Sequence, residues 1–484
     1  MTKIIGDESA ETLNGAAGDD VIKGRGGNDV LRGMGGADSI QGDGGNDYID
    51  GGAGGDTLLG GSGDDRILGV GAGDDFVDGG SGIDIVDYQE EGIDFVVIDL
   101  ALTTAQNTGG AGTDTLLNIE NLNGTFGDDI LLGSASANLI IAEIGDDYID
   151  GRGGDDVLNP SQGFGPGDDT ILGGDGDDLI YTGGETDIVD GGLGHDAATF
   201  FGPPTPEPRG FTCSLAITSL QTVAPGSQVL LSSIEELRGG QGDDTFTGST
   251  GDDVLRGDSG ADELHGGSGS DTLEGAGGQD FLDGGSDFDW ADFSRAGSKA
   301  TITLSKTTAQ FTGESLDTFA SIEGVIGSRH GDGLLGSASA NHFLGEDGND
   351  NLLGSGGADT LEGGAGKDTL FGGSGADTLI GNGGVDSFYF PKTADTTRFS
   401  PDLIWDLGAA DVVSLHTIDA NTIVAGNQNF VVVENHGTAA GQMTISYDAG
   451  TDRTSISLYT NADALADGVI LIRGNHVDHD NFLL

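Results

Sequence analysis

The chain has 484 residues, of which 93 are glycine, and it carries 82 acidic against 18 basic side chains, a formal charge of −64. Such a charge excludes favourable docking on a phosphate backbone or an anionic membrane surface, so neither nucleic acid nor membrane insertion is expected. One cysteine, Cys213, excludes an intramolecular disulfide framework and a cysteine-rich zinc module. No run of about 18 apolar residues offers a transmembrane helix, and the opening MTKIIGDESAETLNG has no apolar stretch of signal-peptide length.

High charge with few aromatic residues is also the composition of disordered chains. Periodicity decides against that reading. From Gly354 the sequence runs GSGGADTLE, GGAGKDTLF, GGSGADTLI, GNGGVDSFY. Each unit has nine residues, a glycine-rich six ending in Asp and then an apolar side chain two places later. In chain order the first array (1–86) holds Asp20, Asp29, Asp38, Asp47, Asp56, Asp65, Asp75 and Asp84 at the sixth position. A first interruption spans 87–123. The second array (124–196) holds Asp129, Asn138, Asp147, Asp156, Asp169, Asp178, Asp187 and Asp196, with an insertion at Pro160 to Pro166, and 197–238 is a second interruption. The third array (239–289) holds Asp244, Asp253, Asp262, Asp271, Asp280 and Asp289, followed by a third interruption at 290–326. The fourth (327–389) holds Asp332, Asn341, Asp350, Asp359, Asp368, Asp377 and Asp386, and 390–484 forms a C-terminal cap.

The eighth position gives an independent signal: Ile22, Leu31, Ile40, Ile49, Leu58, Ile67, Val77 and Val86 in the first array. One inward residue between outward neighbours is a very short strand, so each unit reads as a six-residue turn plus a three-residue strand. Two units make one coil of a flattened right-handed parallel β-roll, an all-β fold in which units 18 residues apart stack on the same edge. Asp20 and Asp38 then become neighbours, and like charges at that spacing raise each other's pKa or unfold the loop. A hard divalent cation removes the conflict. Calcium accepts 6 to 8 oxygens and suits a glycine loop that exposes carbonyls, whereas magnesium demands a tighter octahedron. One aliphatic side chain per nine residues is little apolar burial, so stability is expected from metal binding linked to folding. One ion between each same-edge pair gives about 20 ions for the chain.

The three interruptions end in related phrases, NIENLNG, SIEELRG and SIEGVIG, whose Glu120, Glu235 and Glu323 each lie nine residues before the first sixth-position Asp of the next array. FVVIDLAL, CSLAITSL and ATITLSK within them alternate as strands do, so the interruptions are expected to continue the stack without metal. PPTPEPR, from Pro203 to Arg209, reads as a stiff exposed excursion and the best place for a grafted binding or catalytic loop. From about Phe390 the glycine–Asp register is expected to stop. FVVVEN, QMTISYDAG, TSISLYT and GVILIRG then read as a small antiparallel cap over the end of the solenoid.

The unit GGxGxDxUx resembles the RTX (repeats-in-toxin) nonapeptide of calcium-binding, type I-secreted bacterial proteins. The resemblance implies that the metal takes sixth-position Asp carboxylates of two stacked loops and loop carbonyls, including those of glycines such as Gly363, Gly364, Gly372 and Gly373. Asn138 and Asn341, both within GSASAN, depart from it, as do Glu185 and His330 at the fourth position, and weak or empty sites are expected there. The stretch DLIWDLGAADVVSL (Asp402 to Leu415) with the closing DHDNFLL resembles the C-terminal region of serralysin-type proteases. That resemblance implies an uncleaved signal read by a type I secretion apparatus and an extracellular or cell-surface protein.

No HExxH, GxSxG elbow, P-loop or dinucleotide fingerprint is present in a strand–helix context. Carboxylates are everywhere and cannot nominate a general acid and base. His476 and His479 read as tail residues and Cys213 as a small buried side chain. The sequence therefore predicts a non-enzymatic secreted calcium-binding protein, a surface-layer, adhesin or matrix component whose further partners are itself or a cell-surface polysaccharide. The alternatives are a polysaccharide-modifying enzyme acting across an interruption, or a module serving a separate partner.

Overall fold

The computed structural model describes residues 2–71, 73–89, 92–160, 167–182, 185–200, 209–415, 417–418, 431–432, 439–461, 463, 465–477 and 482–483. The chain divides into two compact units, residues 1–246 and 247–484. Both are parallel β-rolls, and among the described residues no helix is long and apolar enough to cross a membrane.

In residues 1–246, one sheet stacks Thr12–Asn14, Val30–Arg32, Tyr48–Asp50, Arg66–Leu68 and Ile85–Asp87 in parallel. It runs on without a break through Asn121–Asn123, Leu139–Ile141, Val157–Asn159, Leu179–Thr182, Ala197–Phe200 and Glu236–Arg238. The alternate repeats form two successive sheets, Lys3–Ile5 through Phe76–Ser81 to Thr113–Leu117, then Val97–Asp99 through Thr186–Leu193 to Ser227–Ser232. Strand length differs from the uniform three residues expected. The alternate strands are typically six residues long, as in Val21–Gly26 and Ser39–Gly44, because their pairing continues into the glycine turn (Arg25 with Asp43, Gly26 with Gly44).

Residues 247–484 repeat the plan. Val254–Arg256 to Thr378–Gly384 form one parallel stack, and Thr301–Thr303 to Val412–Ser414 another. The stack passes from Thr378–Gly384 to Asp402–Ile404 and then, still parallel, to Gly468–Arg473. Arg453–Tyr459 and Gln442–Asp448 follow in antiparallel pairing. Of FVVVEN, only Val431 and Val432 are among the described residues. The eighth-position side chains supply the core: Ile22, Leu31, Leu58, Leu131, Leu255 and Leu370 are fully buried.

Each interruption changes sheets in the same way. The chain first lays down a new strand (Val97–Asp99, Thr212–Ser214, Thr301–Thr303), which in the first and third interruptions opens the next sheet. It then returns as a hairpin whose second strand ends the preceding sheet, with Gln106–Asn107, Gln221–Ala224 and Gln310–Phe311 as antiparallel partners. A glutamine clasps each crossover. Gln106 accepts from the Asp99 amide at 2.8 Å and donates to its carbonyl at 3.1 Å, and Gln221 with Ser214 and Gln310 with Thr303 do the same. Two residues on, Thr108 donates to Asp114 at 2.8 Å and Thr312 to Asp317, whereas the second interruption has the buried apolar pair Val223 and Val229. The Pro203–Pro208 excursion and residues 161–166 of the proline insertion lie outside the described residues. Cys213 is buried, and burial pushes its thiol up to about 12.

Candidate metal centres

The sixth-position side chains form ladders, every one exposing 3 % or less of its surface. In the first array the amide of Asp20 donates to Oδ1 of Asp38 at 2.6 Å, Asp38 to Asp56 and Asp56 to Asp75 at 2.7 Å, and Asp75 to Asp114 at 2.9 Å. On the other edge Asp29, Asp47, Asp65 and Asp84 are linked likewise, and Glu120 Oε2 accepts from Asp84 at 2.8 Å. The second array links Asp129, Asp147, Asp169 and Asp187 on one ladder; on the other it links Asn138, Asp156, Asp178 and Asp196, closed by Glu235. The Phe211 amide meets Asp244 at 2.7 Å.

In residues 247–484, Asp253, Asp271 and Asp289 end on Glu323, and Asp262 and Asp280 end on Asp317. Asp332, Asp350, Asp368 and Asp386 continue to Asp411, and Asn341, Asp359 and Asp377 to Asp402. The stacking of units 18 residues apart is therefore as expected, but neighbouring carboxylates do not simply confront one another. In each of these aspartate-to-aspartate links Oδ1 is occupied by the amide of the preceding rung.

Burial nonetheless dominates their chemistry. Desolvation, then neighbouring carboxylates, push Asp65 and Asp147 up to about 7 and Asp169 and Asp280 up to about 8, against an ordinary 3.8, although the amide bonds oppose the shift.

The second carboxylate oxygen separates the loops into two kinds. In the first kind the second residue of the six is left-handed: Arg25 (φ 87°), Met34 (79°), Asp43 (71°), Glu143 (85°), Arg152 (72°), Ala276 (56°), Glu346 (68°), Ser355 (78°) and Asn382 (60°). A non-glycine residue held there stores about 1–3 kcal/mol of strain, which persists only where something over-determines it. In these loops Oδ2 of Asp29, Asp38, Asp47, Asp147, Asp156, Asp280, Asp350, Asp359 and Asp386 is buried with no hydrogen-bond partner. So is Oδ2 of Asp56, Asp65, Asp84, Asp178, Asp196, Asp271, Asp289, Asp368 and Asp377, whose loops have glycine at the second place.

In many of these loops the oxygen lies beside the opening glycine and near a carbonyl of the next coil, whereas the loop of Asp147 opens on Ala142. A Cβ on Gly24 would lie 2.2 Å from Asp29 Oδ2 and 2.9 Å from the Gly42 carbonyl oxygen. On Gly173 it would lie 2.2 Å from Asp178 Oδ2 and 2.3 Å from Gly191 O, and on Gly354 2.2 Å from Asp359 Oδ2 and 2.5 Å from Gly372 O. In these three loops the cradle is thus an oxygen-lined space that a side chain on the opening glycine would enter.

In the second kind the residue at the second place is not left-handed, and its amide donates to the sixth-position side chain. Thr125 meets Asp129 Oδ2, Ser249 meets Asp253 Oδ2 and Ser328 meets Asp332 Oδ2, each at 2.6 Å; Ala16 meets Asp20 Oδ2 at 2.8 Å and Gly240 meets Asp244 Oδ2 at 3.3 Å. Ser134 and Ser337 meet Asn138 Oδ1 and Asn341 Oδ1 at 2.7 and 2.8 Å.

Among the described residues no group of three or more His, Cys, Asp or Glu side chains gathers as a metal cluster. The donor set of a cradle is one carboxylate oxygen with backbone carbonyls, all hard oxygens, and that chemistry fits calcium. The RTX calcium-binding nonapeptide repeat model matches residues 5–40, 32–67, 50–86, 123–158, 165–197, 232–264, 256–291, 326–361 and 335–370, together more than half of the chain. The chain belongs to the RTX calcium-binding repeat proteins. The model of the peptidase M10 serralysin C-terminal domain matches residues 357–484 of this RTX protein. No curated protein matches the chain.

Among solved structures it is similar to the extracellular lipase LipA from Serratia marcescens, with 18 % identity over 53 % of this chain and 44 % of the lipase and a TM-score of 0.22. It is also similar to the AlgE6R3 and AlgE6R2 subunits of the Azotobacter vinelandii mannuronan C5-epimerase. Each is 24 % identical, covering 31 % of this chain and 75 % of R3, and 33 % of this chain and 91 % of R2, with TM-scores of 0.16 and 0.17. The chain spans less than half the length of the lipase.

Sequence reasoning missed Asp114, Asp317, Asp402 and Asp411 as rungs. The register does not stop at Phe390, as expected from the loss of glycines. Asp402 and Asp411 are themselves nine residues apart and each is followed by apolar residues, so the signal was present. Glu120, Glu235 and Glu323, noticed as a repeated phrase, prove to be the closing rungs of one ladder in each of the first three arrays. His476 is partly buried, its amide donating to Thr454 Oγ1 at 2.8 Å, and His479 lies outside the described residues.

Proposed function

We propose that this RTX protein is exported by a type I apparatus as an extended chain, folds on extracellular calcium, and serves as a surface-layer, adhesin or matrix component. The ions are held by the sixth-position aspartates of the four arrays, about 20 in number. The observation that carries this reading is the series of buried, unpartnered Oδ2 atoms above glycine cradles. In the low calcium of a cytosol these oxygens stay hydrated and repel one another, keeping the chain open. Calcium outside neutralises them and supplies the stability that the slender core lacks. The serralysin-type C-terminal match supports export, and the ordered acidic surface supports a scaffolding role, through self-association or binding of a cell-surface polysaccharide.

The test is fractionation of a type I-competent bacterium expressing the chain in millimolar calcium. The protein is expected on the cell surface or in the matrix and is released by chelator. Retention in the cytosol, or a surface fraction indifferent to chelator, overturns the reading.

A further inference from the structure

We infer that every array opens on a pair of loops, one for each edge, that close without a cation, and that calcium is confined to the loops after them. This rests on the calcium reading above and divides its candidate sites into two classes.

The opening pairs are GDESAE (6–11) and GAAGDD (15–20), GTFGDD (124–129) and GSASAN (133–138), GGQGDD (239–244) and GSTGDD (248–253), and GSRHGD (327–332) and GSASAN (336–341). In all eight, the amide of the second residue is spent on the sixth side chain; in the loop at 6–11, before the first Asp of the series, Asp7 donates to Glu11 Oε2 at 2.8 Å. Thr125, Ser249 and Ser328 add a hydroxyl bond to Oδ1 of the same aspartate, at 3.0, 3.2 and 3.0 Å. A carboxylate held by an amide and a hydroxyl of its own loop is a closed local motif.

The loops that follow differ in backbone as well as in partner. In the later loops of Asp29, Asp38, Asp47, Asp147, Asp156, Asp280, Asp350, Asp359 and Asp386 the second residue turns left-handed, which swings its amide away, and Oδ2 has no hydrogen-bond partner. Residue type alone does not decide, because Ser355 occupies the second place of GSGGAD and is left-handed with Asp359 Oδ2 unpartnered. Place in the array does.

A second, independent sign comes from charge. The two sixth positions that carry no charge, Asn138 and Asn341, both fall in opening pairs, and each uses its amide nitrogen to bind the carbonyl of Glu120 or Glu323 at 2.6 or 3.1 Å. A carboxamide is at home where the partner is a backbone dipole, and a carboxylate is required only where the partner is a cation. The opening loops are therefore complete in their hydrogen bonds before metal arrives and present a ready edge for the calcium-dependent loops to stack on.

The experiment is bound calcium per full-length chain, by equilibrium dialysis and elemental analysis at saturating calcium, with folding checked by circular dichroism. Asp129→Asn with Asp332→Asn should leave the wild-type number unchanged; Asp147→Asn with Asp350→Asn should lower it by about two ions. Equal change in both pairs, including none in either, overturns the inference while leaving the calcium reading intact if the wild type binds. A wild type that binds no calcium overturns both. Should a variant fail to fold, anomalous scattering from lanthanide-soaked crystals of the wild type decides. Peaks are expected beside the carboxylates of Asp147 and Asp350 and not beside Asp129 Oδ2 or Asp332 Oδ2; a peak at the latter overturns the inference.

Discussion

Filling one cradle with a single methyl isolates the ion from the rest of the fold. In Gly354→Ala the new Cβ would stand 2.2 Å from Asp359 Oδ2 and 2.5 Å from the Gly372 carbonyl oxygen, both far inside contact distance. Overpacking of that kind costs about 1–3 kcal/mol. If calcium is present at 100 times its dissociation constant, losing the ion removes about a further 2.7 kcal/mol. The variant should thus lose about 4–6 kcal/mol of stability in calcium and one bound ion. Gly251→Ala is the control, because its Cβ would meet nothing nearer than Ser249 Oγ at 3.6 Å. Urea unfolding in saturating calcium followed by circular dichroism reads the stability, and equilibrium dialysis reads the bound ion. A Gly354→Ala protein that keeps its calcium number and its calcium-dependent stability refutes the assignment of the cradle.

Without metal, pH should replace calcium in part. Asp65, Asp147, Asp169 and Asp280 are raised to between about 7 and about 8 by burial. Their contribution is therefore intact below about pH 4 and is lost as pH rises through 7 to 8. Ellipticity of the chain in chelator should fall over that window, and a flat or rising profile would contradict the burial argument. Leu370→Ala, at a fully buried eighth position, should cost about 2–5 kcal/mol and leave the calcium number untouched. Gln310→Ala removes two hydrogen bonds to Thr303 and should cost about 1–3 kcal/mol, read as a lowered urea midpoint. Thr108→Val removes the hydroxyl bond to Asp114 and should cost about 1 kcal/mol, read as a lowered urea midpoint; an unchanged midpoint would contradict it.

The parallel roll, its core and the placement of the aspartate ladders were legible because one Asp and one apolar side chain recur at fixed places in nine residues. That regularity maps directly onto turn and strand. What the period could not reveal was anything set by backbone direction. The division of the loops depends on whether the second residue takes a positive φ, as Arg25 does and Thr125 does not, and both sit at the same place in the same motif. The crossovers were hidden for a different reason. A hairpin that ends one sheet after starting the next is a long-range exchange, and its markers, Gln106, Gln221 and Gln310, are single residues in otherwise unlike segments. Asp402 and Asp411 escaped notice because glycine was taken as the sign of the register, whereas the ladder needs only the Asp and the strand behind it.

Small-angle scattering of the full chain, first in chelator and then up to millimolar calcium, tests the calcium-gated fold most directly. An expanded chain of this length has a radius of gyration of about 80 Å. The proposal predicts a value near that in chelator at neutral pH and a steep fall to a compact, folded particle as calcium is added. A compact particle in chelator, unchanged by calcium, would contradict it.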